Sequence, residues 1–104
     1  MIDTLKKIFG LGPTADLTEV MNRGGIIIDV RTPAEFKGGH VKGSKNIPLG
    51  ELQKQISKLD KNKPVITCCA SGMRSAGAKS SLLSAGFTEV HNGGSWMALR
   101  HLEK

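Results

Sequence analysis

Aromatic residues are almost missing from this chain: 104 residues include three phenylalanines, one tryptophan and no tyrosine. So few rings cannot build the stacking platform on which single-stranded nucleic acids are held. The net charge of +6 does not supply a substitute, because Lys6, Lys7, Lys37, Lys42, Lys45, Lys54, Lys58, Lys61 and Lys63 are scattered and form no stripe. No nucleic-acid partner is expected. Long apolar runs are absent as well. Nothing approaches the ~20 residues of a membrane span, and the opening "MIDTLKKIFGLGPTADLTEV" lacks the ~7–15-residue apolar centre of a secretory signal. No membrane partner is expected, and the expected location is the cytoplasm.

Cysteine is equally scarce. The only two, Cys68 and Cys69, are neighbours, and a ring closed between adjacent residues is strained, so a disulfide framework is excluded. Together with the scattered His40, His91 and His101 they offer no pair at zinc-ligand spacing. Neither a metal nor another cofactor is expected. What remains for the two thiols is burial or reactivity.

What the chain does contain fits one small α/β domain. Its length suits a single core, and 38% hydrophobic residues with 13 glycines suit short elements joined by tight turns. Residues 1–14 read as an N-terminal extension with Ile2, Leu5, Ile8 and Phe9 at helical spacing, a short docking helix broken at "GLGP"; the domain itself occupies 15–104. "ADLTEVMNRGG" reads as a helix and "IIIDVR" as a strand covered on both faces. Thr32 and Pro33 predict the cap and first turn of a helix over "TPAEFKGG". A short strand is expected near Asn46 and Ile47. Leu49, Leu52, Ile56 and Leu59 share one helical face, and "PVITC" is a second buried strand. "RSAGAKSSLLSAGF" predicts a helix with Ala76, Leu82 and Leu83 inward and Gly86 at its end. "TEVHN" predicts a last strand and "GGSWMALRHLEK" a last helix. Alternation of strand and helix with short joins implies a central parallel sheet flanked by helices on both faces.

The cysteines therefore stand at the carboxyl end of a buried strand and just ahead of a helix, which is where open α/β sheets bind ligands. A helix start offers unpaired N–H groups and the positive end of a dipole, and Gly72 lets the backbone curl so that more N–H groups point inward. A thiolate is a suitable anion for such a nest, and thiol pKa values there fall from ~8.5 into the range ~3.5–7.5. Arg74 adds a fixed charge, either for a ligand or for a scaffold ion pair with Glu35 or Asp29. Ser71 and Ser75 bring hydroxyls that can donate to a bound oxyanion or sulfur. Two registers are open: Cys68 to Arg74 is C-x5-R and Cys69 to Arg74 is C-x4-R. Burial suits Cys68, the last apolar residue of the strand, and suits Cys69 less, because the strand is expected to have ended there.

"DVRTPAEFKGGHVKGSKNIP", "CASGMRS" and "LLSAGFTEVHNGG" occur in an order that resembles the rhodanese domain family from about Ala15 to the C-terminus. The resemblance implies a rhodanese-like α/β fold and a sulfurtransferase whose nucleophile opens a six-residue loop ending in arginine, which matches Cys69 through Arg74. It implies that sulfane sulfur passes from a small anionic donor, such as thiosulfate, a persulfide or a polysulfide, through a Cys69 persulfide to cyanide or a thiol. A sulfur-carrier protein is a further candidate partner. Backbone N–H groups from Ala70, Ser71, Gly72, Met73, Arg74 and Ser75 are expected to cradle the sulfur, with Arg74 and nearby lysines attracting the donor. Asp29, Arg31, Glu35 and His40 are expected to form a supporting polar network, His40 as a hydrogen-bonded turn residue and not a base. Trp96, which follows the glycine pair sooner than in many relatives, is expected in the core or a pocket wall.

Two rivals stand beside this reading. A phosphatase or arsenate reductase with a C-x5-R loop would use Cys68, although no aspartate is evidently placed to protonate a leaving alkoxide. A noncatalytic rhodanese-like binding module is the other, weakened by the presence of cysteine, glycine and arginine in the loop. Cys68 is either strand packing or a resolving thiol for Cys69.

Overall fold

The computed structural model of the chain describes residues 16–103; the expected docking helix of the N-terminal extension lies outside them. Helix α1 (Leu17–Asn22) opens on Asp16, whose side chain accepts from the Thr18 and Glu19 N–H groups. Strand β1 (Ile26–Asp29) follows, then helix α2 (Pro33–Lys37) with the expected Thr32 cap. Thr32 Oγ1 accepts from Glu35 N–H at 3.2 Å while Glu35 Oε1 accepts from Thr32 N–H at 3.0 Å, so each end of the first turn satisfies the other. Strand β2 is only Lys45–Asn46.

The stretch read as one helix over residues 49–59 is a chain of short turns: a 3₁₀ turn at Leu49–Glu51, helix α3 at Leu52–Gln55 and a second 3₁₀ turn at Ile56–Lys58. Leu52 and Ile56 are buried as their spacing requires, whereas Leu49 is exposed. Strand β3 (Val65–Cys69) is buried along its whole length. Helix α4 (Met73–Ser84) ends where Gly86 takes φ +102°, a left-handed conformation suited to glycine. Ser75, Ala78 and Leu82 point inward from this helix; Ala76 and Leu83, expected inside, face solvent because the buried stripe is rotated by one residue.

Strand β4 runs from Val90 to Ser95 and so includes the glycine pair that sequence placed in the last helix, and the terminal segment Trp96–Leu102 is 3₁₀. Gly93 explains why the strand can pass there. A Cβ on it would lie 2.7 Å from Leu99 Cδ1 and 2.9 Å from the Thr67 carbonyl oxygen, so only a residue without a side chain lets β4 approach β3 and the final turn this closely.

The four strands are parallel in the order β2-β1-β3-β4. Alternation along them fills two cores. Ile28, Val30, Val65 and Cys69 join Leu52, Ile56, Ala78 and Leu82 on one face, while Ile27, Ile66 and Cys68 join Val20, Leu99 and Leu102 on the other. Each fully buried Ile or Leu contributes about 1.5–3 kcal/mol. No helix among the described residues is long and apolar enough to cross a membrane.

Candidate functional site

The period-two geometry of β3 separates the two cysteines. Thr67 and Cys69 face α4, and Cys68 faces the opposite core. The strand extends one residue beyond its expected end and includes Cys69, so it is alternation, and not the end of pairing, that puts the two cysteines on opposite faces. Cys69 Sγ accepts from Gly72 N–H at 2.8 Å and from Ser75 N–H at 3.4 Å. Gly72, at φ +104°, is the left-handed residue immediately before α4, and it turns its own N–H back toward the sulfur.

The thiols are tuned in opposite directions by these surroundings. Burial pushes the Cys69 thiol up, but N–H groups of Ser75, Gly72, Ser71 and Arg74 outweigh it, leaving the thiol below its ordinary 9.0. Burial pushes Cys68 up to about 12, assisted by the Asp29 carboxylate and only partly opposed by Arg31. A thiolate is thus favoured at Cys69 and disfavoured at its neighbour. Neither cysteine has solvent-exposed surface, so the Cys69 sulfur forms the floor of the cradle.

Of these loop residues Gly72 and Ser75 hydrogen-bond the sulfur, and the Ser71 and Arg74 N–H groups add to the pull that lowers the thiol. No hydrogen bond from Ala70 or Met73 N–H to Sγ is found among the described residues; the Met73 side chain stands 82% exposed at the rim. Arg74 is ion-paired: its two terminal nitrogens donate to Glu35 Oε1 and Oε2 at 2.7 and 3.0 Å. Glu35, held to about 2 by Arg74 and by its bonds to Thr32, therefore ties the loop to the start of α2. The Ser75 hydroxyl, expected to reach a ligand, is buried and turned away, donating to Asn92 Oδ1 at 2.6 Å and lying 2.7 Å from Thr67 Oγ1.

The supporting residues separate into two groups. Asp29 is wholly buried and takes both Arg31 Nε and Nη2, the latter at 2.8 Å, while Arg31 also donates to the Gly39 carbonyl at 2.6 Å. The Arg31 guanidinium lies 4.8 Å from the centroid of the Trp96 ring, which packs against the second core. His40 is a turn residue: its Nδ1 is 2.7 Å from the Phe36 carbonyl and its ring stacks on Phe36 at 3.7 Å. Sequence reading overlooked Thr67 and Asn92, which hold the loop from below. Their signal was a polar residue in the middle of each of two neighbouring strands, where apolar residues would otherwise be expected.

Residues 14–99 match the family model described as Rhodanese-like domain. The chain belongs to the rhodanese-like domain family. It is 41% identical over 80 residues to the uncharacterized protein YqhL of Bacillus subtilis (strain 168), covering 73% of this chain and 64% of that protein. It is 32% identical over 80 residues to the thiosulfate sulfurtransferase GlpE of Stutzerimonas stutzeri (strain A1501), covering 77% of this chain and 73% of that protein. Among solved structures it is similar to a rhodanese with anions from E. coli, at TM-score 0.67 and 38% identity over 71% of this chain and 89% of that one. In this rhodanese-like domain the segment from Cys69 to Arg74 is the tight loop at the carboxyl edge of the sheet, and Asp29, Arg31 and Glu35 frame the neighbouring strand end.

Proposed function

We propose that this rhodanese-like domain is a sulfurtransferase in which Cys69 carries the sulfur. The observation that supports it is the convergence of the Gly72 and Ser75 N–H groups on the Cys69 sulfur, while Cys68 points to the other face of the sheet. A Cys69 thiolate attacks the outer sulfur of a donor such as thiosulfate; a bond forms between the two sulfurs, the donor S–S bond breaks, and sulfite leaves with its electron pair. The acceptor, cyanide or a thiolate, then attacks the outer persulfide sulfur and Cys69 departs again as thiolate. Sulfite and thiolate are both stable anions, so neither step needs a general acid. In keeping with this, both hydrogen bonds to Sγ found among the described residues come from backbone N–H groups.

The net charge of +6 favours encounter with small anions. A phosphatase using Cys68 is disfavoured by that thiol's orientation and its rise to about 12. The deciding experiment measures thiocyanate release from thiosulfate and cyanide together with aryl-phosphate hydrolysis. The proposal expects sulfur transfer that Cys69→Ala abolishes and no hydrolysis; hydrolysis lost in Cys68→Ala, without sulfur transfer, would replace it with the phosphatase reading. Neither activity, with no sulfur retained on the protein, would indicate a binding module.

A further inference from the structure

Among the described residues, strand β4 hydrogen-bonds the loop and the start of α4 through the side chain of Asn92. Thr67 pairs with Asn92 and Cys69 with Ser95, so β4 holds one more residue than β3 in this interval, a bulge at the glycine pair. The bulge leaves the Asn92 amide under the loop. Its Oδ1 accepts from Gly94 N–H at 2.9 Å and from the Ser75 hydroxyl at 2.6 Å, and its Nδ2 donates to the Gly72 carbonyl at 3.3 Å.

Proton accounting gives this cluster one direction. A backbone N–H only donates, so the atom facing Gly94 is the amide oxygen, which fixes the amide's orientation. Ser75 must then spend its hydroxyl proton on Asn92 and accept from Thr67 Oγ1, which lies 2.7 Å away. The chain runs Thr67 to Ser75 to Asn92, and the other end of the Asn92 amide returns to Gly72. Its two attachment points on the loop are the same two residues whose N–H groups contact the Cys69 sulfur.

We propose that Asn92 is a positioning residue for the Cys69 cradle: its amide holds Gly72 by the carbonyl and Ser75 by the hydroxyl, so that both N–H groups stay aimed at Sγ. The inference rests on Cys69 being the reactive thiol, but it concerns the cradle and not the identity of the donor. Asn92 is itself largely exposed, outside both cores, so its replacement does not remove core packing. Backbone hydrogen bonds to a thiolate favour the charged form, and loosening them lets the thiol regain its proton.

The test is titration of Cys69 by thiolate ultraviolet absorbance in wild type, Asn92→Ala and Ser75→Ala, with Cys69→Ala as the blank. Amide hydrogen exchange at Gly72 and Ser75 is followed in the same proteins. Asn92→Ala is expected to raise the midpoint by about 0.5–1 pH unit and to speed exchange at both amides. With Ser75→Ala the effects should be less than additive, because both act on one network. A wild-type midpoint and wild-type exchange in folded Asn92→Ala would overturn the proposal. If that variant fails to fold, Asn92→Asp keeps the acceptor, loses the donor to Gly72 and adds a negative charge beside that carbonyl, and unchanged Gly72 exchange there would overturn it equally. A protein that shows the shift yet never holds an added sulfur would sink the sulfurtransferase reading and leave this one standing.

Discussion

Glu35 grips Arg74 with both carboxylate oxygens, at 2.7 and 3.0 Å, while the same carboxylate closes the cap of its own helix through Thr32. One side chain thus joins the start of α2 to the loop over Cys69, although the two are 39 residues apart. The planar fork of arginine matches a carboxylate in a way that an ammonium does not. Arg74→Lys is therefore expected to lower the second-order rate of sulfur transfer, by up to ~100-fold if the cradle shifts by about an ångström. Steady-state kinetics check it; a wild-type rate would show that the fork is dispensable.

The Glu35 clamp also carries a sign in pH. Its carboxyl is lowered from the ordinary 4.5 to about 2, chiefly by Arg74, so its stabilisation is present above 4.5 and is lost as pH falls toward 2. Glu35→Gln retains a capping residue but loses the charge. Denaturant midpoints of the two proteins should differ at neutral pH and converge as pH approaches 2; a gap that persists there would contradict the linkage.

Gly72 is expected to tolerate no side chain without loss. Alanine there must hold φ near +104°, at about 1–2 kcal/mol, and its Cβ would sit 3.4 Å from Gly94 Cα. Reduced stability accompanied by a raised Cys69 midpoint is the expected result, by thermal unfolding and thiolate titration; loss of stability alone would detach the glycine from the chemistry.

Much of this arrangement was legible in sequence because the signals were local. Thr32, Pro33 and Glu35 carry a helix start in four residues, "IIID" is apolar enough for a strand covered on both faces, and the Cys69 to Arg74 spacing gave the loop its length. What escaped depends on contacts across the sheet. Gly93 and Gly94 looked like the opening of a helix, yet they belong to β4, where Gly93 lies too close to the Thr67 carbonyl and to Leu99 for a Cβ and Gly94 takes φ +77°. Asn92 looked like one residue of a short strand, and its partners on the loop are 17 and 20 positions away. Of the two carboxylates weighed as partners for Arg74, sequence could not choose, and it is Glu35 that the fold brings beside it.

Cys68 is expected to matter for stability and not for transfer. Its thiol is buried among Val20, Ile66 and Leu99, so Cys68→Ser places a hydroxyl in an apolar core at a cost of about 1–3 kcal/mol. Unfolding midpoints should fall while persulfide formation persists.

The central claim, that Cys69 and not Cys68 takes the sulfur, is tested most directly by intact-mass measurement after thiosulfate treatment of Cys68→Ser and Cys69→Ser. One added sulfur atom in Cys68→Ser, removed by cyanide, and none in Cys69→Ser is the expected result. Sulfur retained by Cys69→Ser and missing from Cys68→Ser would contradict the account.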